Sequence, residues 1–133
     1  MSAQIVFESP FATMWYHPES KIIHHKFHRN IYGQDYRDFF LLGTQTLKDH
    51  SAQKWLSDDQ GNALAGPEEL RWGIEVWFPK TIEAGWKYWA IVQNKNILGQ
   101  IITDKLVKEY GAQGVEVRFF TDIADAFQWL ESI

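Results

Sequence analysis

The spacing of apolar and polar residues predicts strands in the first part of this chain. Residues 4–8 (QIVFE), 11–16 (FATMWY) and 21–28 (KIIHHKFH) are rich in β-branched and aromatic side chains. Pro18 separates the second stretch from the third, and its fixed φ favours a turn. We therefore predict a short first strand followed by a β-hairpin.

Residues 35 to about 49 change to a helical period. Their apolar stripe would consist of Tyr36, Phe39, Phe40, Gly43 and Leu47. A glycine inside a helix costs about 1 kcal/mol relative to alanine. Gly43 would be tolerated if the helix lay close on a sheet. Residues 54–57 (KWLS) then predict a short buried strand.

A second helix is predicted from Pro67 to about Ala84, and Gly85 ends it. Pro79 should leave the carbonyl group of Glu75 unpaired and bend the helix there, because proline has no N–H to donate. We expect one apolar stripe to face the sheet, made of Leu70, Ile74, Trp77 and Phe78.

The last part of the chain alternates strand, helix, strand, helix. Residues 86–93 (WKYWAIVQ) predict a central strand, because they are almost continuously apolar. A helix capped by Asn94 or Asn96 should follow, with Leu98, Ile102, Leu106 and Tyr110 on one side and Gly111 at its end. Residues 115–120 (VEVRFF) predict a strand. A final helix begins at Thr121 or Asp122, with Ala124, Phe127 and Leu130 facing inward.

This order of elements predicts an α/β (mixed α+β) fold. Strands that alternate with helices imply right-handed crossovers and a largely parallel half-sheet. The hairpin adds an antiparallel part. We expect a mixed sheet of about five to six strands with about four helices, in a single domain over residues 1–133.

Four stretches of the chain resemble the SpoIIAA-like, STAS-related family of small bacterial proteins: KWLSDD, EELRW, VWFPKTIEAGWKYWAIV and EVRFFTDIADAFQWL. The most specific pieces are the spacing of Trp72, Trp77 and Pro79, then Gly85, and the closing motif of Phe120, Asp122, Ala126, Trp129 and Leu130. The resemblance covers residues 5 to 131 and implies a STAS-like fold. Members of the related folds bind proteins, nucleotides or, in the CRAL–TRIO branch, lipids.

In anti-sigma-factor antagonists of this fold, a serine at a helix N-terminus is phosphorylated, and the added charge breaks a protein complex. The matching stretch here, residues 62–70 (NALAGPEEL), contains no Ser or Thr. Glu68 and Glu69 already place negative charge there. The resemblance therefore implies a recognition module without the phosphorylation switch.

Composition narrows the function classes. The net charge of −4 argues against nucleic-acid binding, which needs clustered Lys and Arg. The absence of cysteine excludes disulfides, thiolate catalysis and zinc–sulfur sites. With no signal-peptide pattern and no apolar run long enough for a membrane span, we expect a cytoplasmic protein.

Polar residues follow two predicted strands and form the first candidate site. Asp58, Asp59 and Asn62 follow one strand, and Asn94 follows the next. The carboxyl edge of an open α/β sheet is where ligands bind, so these residues could line a site. Alternatively, they cap helices and make turns. Acid–base catalysis by the Asp58–Asp59 pair is less favoured, because adjacent turn residues rarely point at one atom.

Four histidines cluster near the hairpin, but their spacing does not favour a metal site. His24 and His28 lie two pleats apart, roughly 13 Å, and His25 faces the other way. His17 could approach His24 only if the hairpin register allows. No HExxH or HxH motif is present, and we predict neither a metal nor a cofactor.

Trp72 and Val76 form a second apolar stripe on the 67–84 helix. A helix that is apolar on two sides is deeply buried or covered by a partner. The stripe could be a homodimer contact or a pocket wall, or Trp72 could lie along the domain's own surface. Three functions follow: a non-enzymatic binding module acting through protein contacts, a carrier of a small apolar, lipid-like ligand, or a small enzyme using Asp58 or Asp59.

Overall fold

The computed structural model describes residues 3–61, 66–98, 108–109 and 111–133. Its sheet has six strands, and each lies beside the strand that precedes it in the chain. The strands are β1 (Gln4–Glu8), β2 (Ala12–His17), β3 (Ile22–Phe27), β4 (Lys54–Asp58), β5 (Tyr88–Val92) and β6 (Glu116–Phe120). β1, β2 and β3 pair antiparallel, and β3 to β6 pair parallel. The mixed sheet and its N-terminal hairpin are confirmed.

The helical segments are α1 (Gly33–Asp49), α2 (Pro67–Trp72), a π-helical segment (Gly73–Trp77), α3 (Phe78–Glu83), α4 (Lys95–Leu98) and α5 (Ile123–Glu131). α2, the π segment and α3 follow one another without a break, and we refer to them together as the 67–83 helix. The described residues thus contain three long helices, the single turn α4 and helical residues at 108–109 and 111–112, where about four helices were expected. Most of the helix predicted after Asn94, including Ile102, Leu106 and Tyr110, lies outside the described residues.

Helices cover both faces of the sheet. α1 and the 67–83 helix pack on the first face, where Ile23, Trp55 and Ile91 contribute to the core. Right-handed crossovers between successive neighbouring strands place both helices on that side. α5 packs on the second face against Leu56 and Val92. No helix in the described ranges is long and apolar enough to cross a membrane.

Two helices bear out their predicted stripes with small changes. Along α1, Phe39, Phe40, Gly43 and Leu47 are buried as predicted. An added Cβ at Gly43 would lie 2.8 Å from Trp55 Cζ2, which explains why the helix tolerates this glycine. In α5, Asp122 is the N-cap and accepts from the backbone N–H of Ala124 at 2.8 Å. Ala124 itself is exposed, so this prediction was wrong, and Ala126 takes the inward position.

The predicted orientation of the 67–83 helix was wrong at its N-terminal end. Trp77 and Phe78 are buried, but Leu70 is 55% exposed and Ile74 is 56% exposed. The π segment explains the change, because the Phe78 N–H donates to the carbonyl of Gly73, five residues back. One extra residue per turn rotates the preceding stripe by about 100° relative to the following one. This π turn comes directly before Pro79, whereas the bend at Pro79 stays a prediction.

Candidate functional site

The carboxyl ends of β4 and β5 bring the first group of candidate residues to one edge of the sheet. The Asp59 N–H donates to the carbonyl of Val92 at 2.9 Å. Gln93 Nε2 donates to the Asp59 carbonyl at 2.8 Å, and Asn94 Nδ2 lies 3.5 Å from the Gln60 carbonyl. Asp58, Asp59 and Asn94 therefore share this edge. Asn62 lies outside the described residues.

Asp58 and Asp59 face opposite sides of the sheet. Asp58 follows Leu56 in the alternation of β4 and points to the second face. Burial raises the pKa of Asp58, although the nearby Lys26 acts in the opposite direction. Asp59 turns to the first face, where its Oδ1 lies 2.8 Å from His25 Nε2. The two carboxylates do not converge on one atom, so they do not form an acid–base pair.

The hydrogen bonds of His25 determine which of its ring nitrogens carries the proton. Trp55 Nε1 donates to His25 Nδ1 at 3.0 Å. Because an indole N–H can only donate, Nδ1 is the acceptor, and Nε2 carries the proton donated to Asp59. His25 is completely buried, so neither ring nitrogen is available to a substrate. Sequence reasoning missed this network, although His25 alternates with Ile23 and Phe27 and therefore occupies a core position.

The other hairpin histidines form separate contacts. His17 Nε2 lies 3.1 Å from His24 Nδ1, so the hairpin register does bring these rings together. Trp15 stacks on His24 with ring centroids 4.6 Å apart. Burial lowers the pKa of His24 to about 3, and the neighbouring His17 adds to this shift. His28 instead bonds to Thr13 Oγ1 at 2.7 Å.

These contacts do not create a coordination site in the described part of the chain. Among those residues, no group of three or more His, Cys, Asp or Glu side chains is arranged to hold a metal ion. The imidazoles are used in hydrogen bonds and ring stacking within the sheet.

Trp72 and Val76 lie at a second place, on the 67–83 helix. The Trp72 ring is half-buried and meets Tyr36 of α1 edge to face, with centroids 6.2 Å apart. Val76 is 43% exposed. An open groove of about 380 Å³ is lined by Arg37, Glu68, Arg71, Trp72, Glu75 and Val76. Trp72 thus covers its own domain on one side and borders a groove on the other.

Comparison with known proteins supports the fold. No protein-family model matches the chain, and no curated protein matches it in sequence. The structure is similar to the crystal structure of an uncharacterised protein of the DUF3478 family with a SpoIIAA-like fold, from Shewanella loihica PV-4. The match covers 97% of this chain and 92% of the other, with a TM-score of 0.54 and 16% sequence identity. The chain therefore has a SpoIIAA-like fold, as the sequence resemblance implied.

Proposed function

We propose that this chain is a non-catalytic binding module that acts through protein contacts and self-associates through its 67–83 helix, without a phosphorylation switch. One observation carries the proposal: Leu70 and Ile74, one turn apart on the same side of this helix, expose 55% and 56% of their surface. Fully burying one such side chain is worth about 1.5–3 kcal/mol. Covering Leu70 and Ile74 in both copies therefore supplies a substantial part of a binding free energy.

The 67–83 helix suits contact with a second copy of itself. Gly73 lies between Leu70 and Ile74, and an added Cβ there would meet no atom within 4 Å. A two-fold axis near Gly73 would bring Leu70 of one copy to Ile74 of the other, with both backbones close together. Arg71 and Glu75 carry opposite charges on the same helix, so an antiparallel pair of helices could match them.

The competing functions find less support. A carrier needs space beneath its helices, but Trp55, Trp77 and Trp86 fill the layer on the first face, with ring centroids 4.9–6.1 Å apart. An enzyme using Asp59 would have to break its bond to the buried His25. An enzyme using Asp58 would rely on a carboxyl group that is only 4% exposed, beside Lys26 on the second face.

Light scattering over a range of concentrations tests self-association. We expect a mass near twice 15.6 kDa for the wild type, and a lower mass for Leu70→Asp and Ile74→Asp with unchanged far-UV circular dichroism. The matched control is Ile5→Asp, because Ile5 is an equally exposed isoleucine (61%) on β1. A wild-type mass of one chain at high concentration refutes the self-association. Dissociation caused by Ile5→Asp alone would place the contact elsewhere.

Gly73→Ala offers a finer test of the same contact. The methyl group meets nothing within the chain and improves helix propensity by about 1 kcal/mol. The monomer should therefore be as stable as the wild type or more so, while the dimer weakens because the helices can no longer approach as closely. A Gly73→Ala dimer as tight as the wild type would rule out a crossing at this position.

A further inference from the structure

The outer edge of β1 and the groove beside it form a surface separate from the 67–83 helix. We propose that this edge binds an extended segment of a partner protein in which a large apolar residue is followed, two positions later, by Lys or Arg. Such a segment would add a strand to the sheet. The sheet ends at β1, which pairs only with β2, so its outer backbone groups face no other strand of the described sheet.

An apolar groove lies next to this edge, between the β1–β2 turn and α1. It has a volume of about 400 Å³ and is lined by Phe7, Ser9, Pro10, Phe11, Ile31, Asp35, Asp38, Phe39 and Leu42. Phe7 and Phe11 remain 38% and 41% exposed. Phe7 meets Phe39 edge to face, with centroids 5.7 Å apart, so this groove residue packs against a residue of the core.

The register of β1 directs an added strand over this groove. Ile5 lies opposite Trp15, whereas Phe7 lies opposite Met14, and the pairing shifts between them. Met14 belongs to the core of the first face, so Phe7 points to the face that carries α1. Side chains of an added strand alternate between faces, and every second one would therefore lie on the side of the groove.

Charge at the groove selects a basic segment. Asp35 and Asp38 are exposed and lie three residues apart on α1, on one side of the helix. Glu8 ends β1 but follows Phe7 directly, so it points to the opposite face of the sheet. The Arg29 guanidinium stands over the Phe11 ring, 5.5 Å from its centroid, and the charged residues that line the groove itself are Asp35 and Asp38. A Lys or Arg two positions beyond the apolar anchor is about 7 Å along the strand, and would extend from the groove toward these carboxylates.

The same features disfavour a second copy of this chain at the edge. Residues 4–11 (QIVFESPF) contain no Lys or Arg, so a second β1 strand would bring no positive charge to Asp35 and Asp38. The bulge around Val6 bends the edge, which hinders flat edge-to-edge pairing of identical strands. A basic partner segment supplies a positive charge for these aspartates and needs only a short pairing.

The probe is a fluorescein-labelled peptide, Thr-Val-Thr-Leu-Thr-Lys-Thr, read by fluorescence anisotropy and by shifts of the β1 amide signals in NMR spectra. We expect binding that weakens when its Lys is replaced by Glu. Two N-methylated versions of the peptide block alternate backbone N–H groups. Methylation of the N–H groups that face β1 should abolish binding, whereas methylation of the N–H groups that face away should not.

Variants of α1 provide a matched pair. Asp38 Oδ1 accepts from Gln34 Nε2 at 2.7 Å, and Asp49 Oδ1 accepts from Gln45 Nε2 at 2.7 Å at the far end of the helix. Asp38→Asn combined with Asp35→Asn should weaken peptide binding by about three- to tenfold, the range for two exposed ion pairs. Asp49→Asn should leave it unchanged.

The inference is independent of self-association through the 67–83 helix, because peptide binding can be measured on the Ile74→Asp variant. Absence of binding, equal binding of the Lys and Glu peptides, or retention of both N-methylated peptides would each overturn it. The last result would indicate an apolar ligand in the groove rather than an added strand. Self-association that is lost in Ile5→Asp would assign the edge to a second copy instead.

Discussion

Replacing Gly43 by alanine tests how closely α1 packs on the sheet. The added Cβ would overlap Trp55 Cη2 and lie 2.8 Å from Trp55 Cζ2 and 2.9 Å from Met14 Cε. Trp55 has little room to move, because it is fully buried, donates to His25 at 3.0 Å and meets Trp77 with ring centroids 5.2 Å apart. The substitution therefore forces a shift in the core rather than a change of one surface rotamer.

The expected magnitude combines two opposing effects. Overpacking a close-packed core typically costs about 1–3 kcal/mol, and the rigid neighbour here favours the upper end. Alanine gains about 1 kcal/mol in helix propensity over glycine. We expect Gly43→Ala to lower the free energy of unfolding by about 2 kcal/mol. Gly73→Ala, the same change at an open helical position, should be neutral or stabilising.

Urea unfolding followed by far-UV circular dichroism measures both changes, at a chain concentration where the midpoints do not depend on concentration. A double-mutant cycle isolates the contact, because Trp55→Phe removes the benzo ring that the new methyl group meets. In that background Gly43→Ala should cost at least about 1 kcal/mol less. A Gly43→Ala chain as stable as the wild type, or strict additivity with Trp55→Phe, would show that α1 does not pack in this way.

Three further predictions concern buried polar groups. Asp59→Ala leaves the His25 N–H without an acceptor and should lower the free energy of unfolding in urea by about 1–3 kcal/mol. Asp59→Asn keeps an acceptor and should lower it less. Equal losses in the two variants would contradict the hydrogen bond. Because burial lowers the pKa of His24 to about 3, the unfolded chain binds a proton there that the folded chain does not. Stability should thus fall as the pH drops from about 6.5 toward 3, by at most ~1.4 kcal/mol per pH unit, and His24→Gln should flatten this slope; an unchanged slope would show that His24 is not its source. Burial raises the pKa of Asp58, so its ionised form is penalised in the folded state until the pH falls through that raised pKa. Asp58→Asn should therefore stabilise the chain more at about pH 7 than at about pH 4. Thermal unfolding at both pH values measures this difference, and an equal effect at the two values would contradict the prediction.

The sheet and α1 could be predicted because their signals are local. Phe39, Phe40 and Leu47 repeat with the helical period, and the apolar residues of β4 and β5 need no knowledge of their neighbours. The orientation of Leu70 and Ile74 could not be predicted, since it depends on the π segment that precedes Pro79. Pro79 indicated a distorted helix, but not that the distortion would be a π turn that rotates the residues before it.

The candidate site was predictable only in its placement. Parallel strands end at one edge, which brings Asp58, Asp59 and Asn94 together whatever their role. The bond between His25 and Asp59 joins residues 34 positions apart. Neither the spacing of these residues nor their type predicts that hydrogen bond. It follows from the register of β3 on β4, which places His25 beside Ser57 and within reach of the turn after β4.

The strand order affects how the chain can fold while it is being synthesised. Each strand pairs with the strand made just before it, so a nascent chain leaving the ribosome can add strands one at a time to a sheet that already exists. No strand has to wait for a distant segment or be inserted between two earlier ones. Because N-terminal parts emerge first and early pairing shortens the exposure of apolar edges, this order favours vectorial folding during translation.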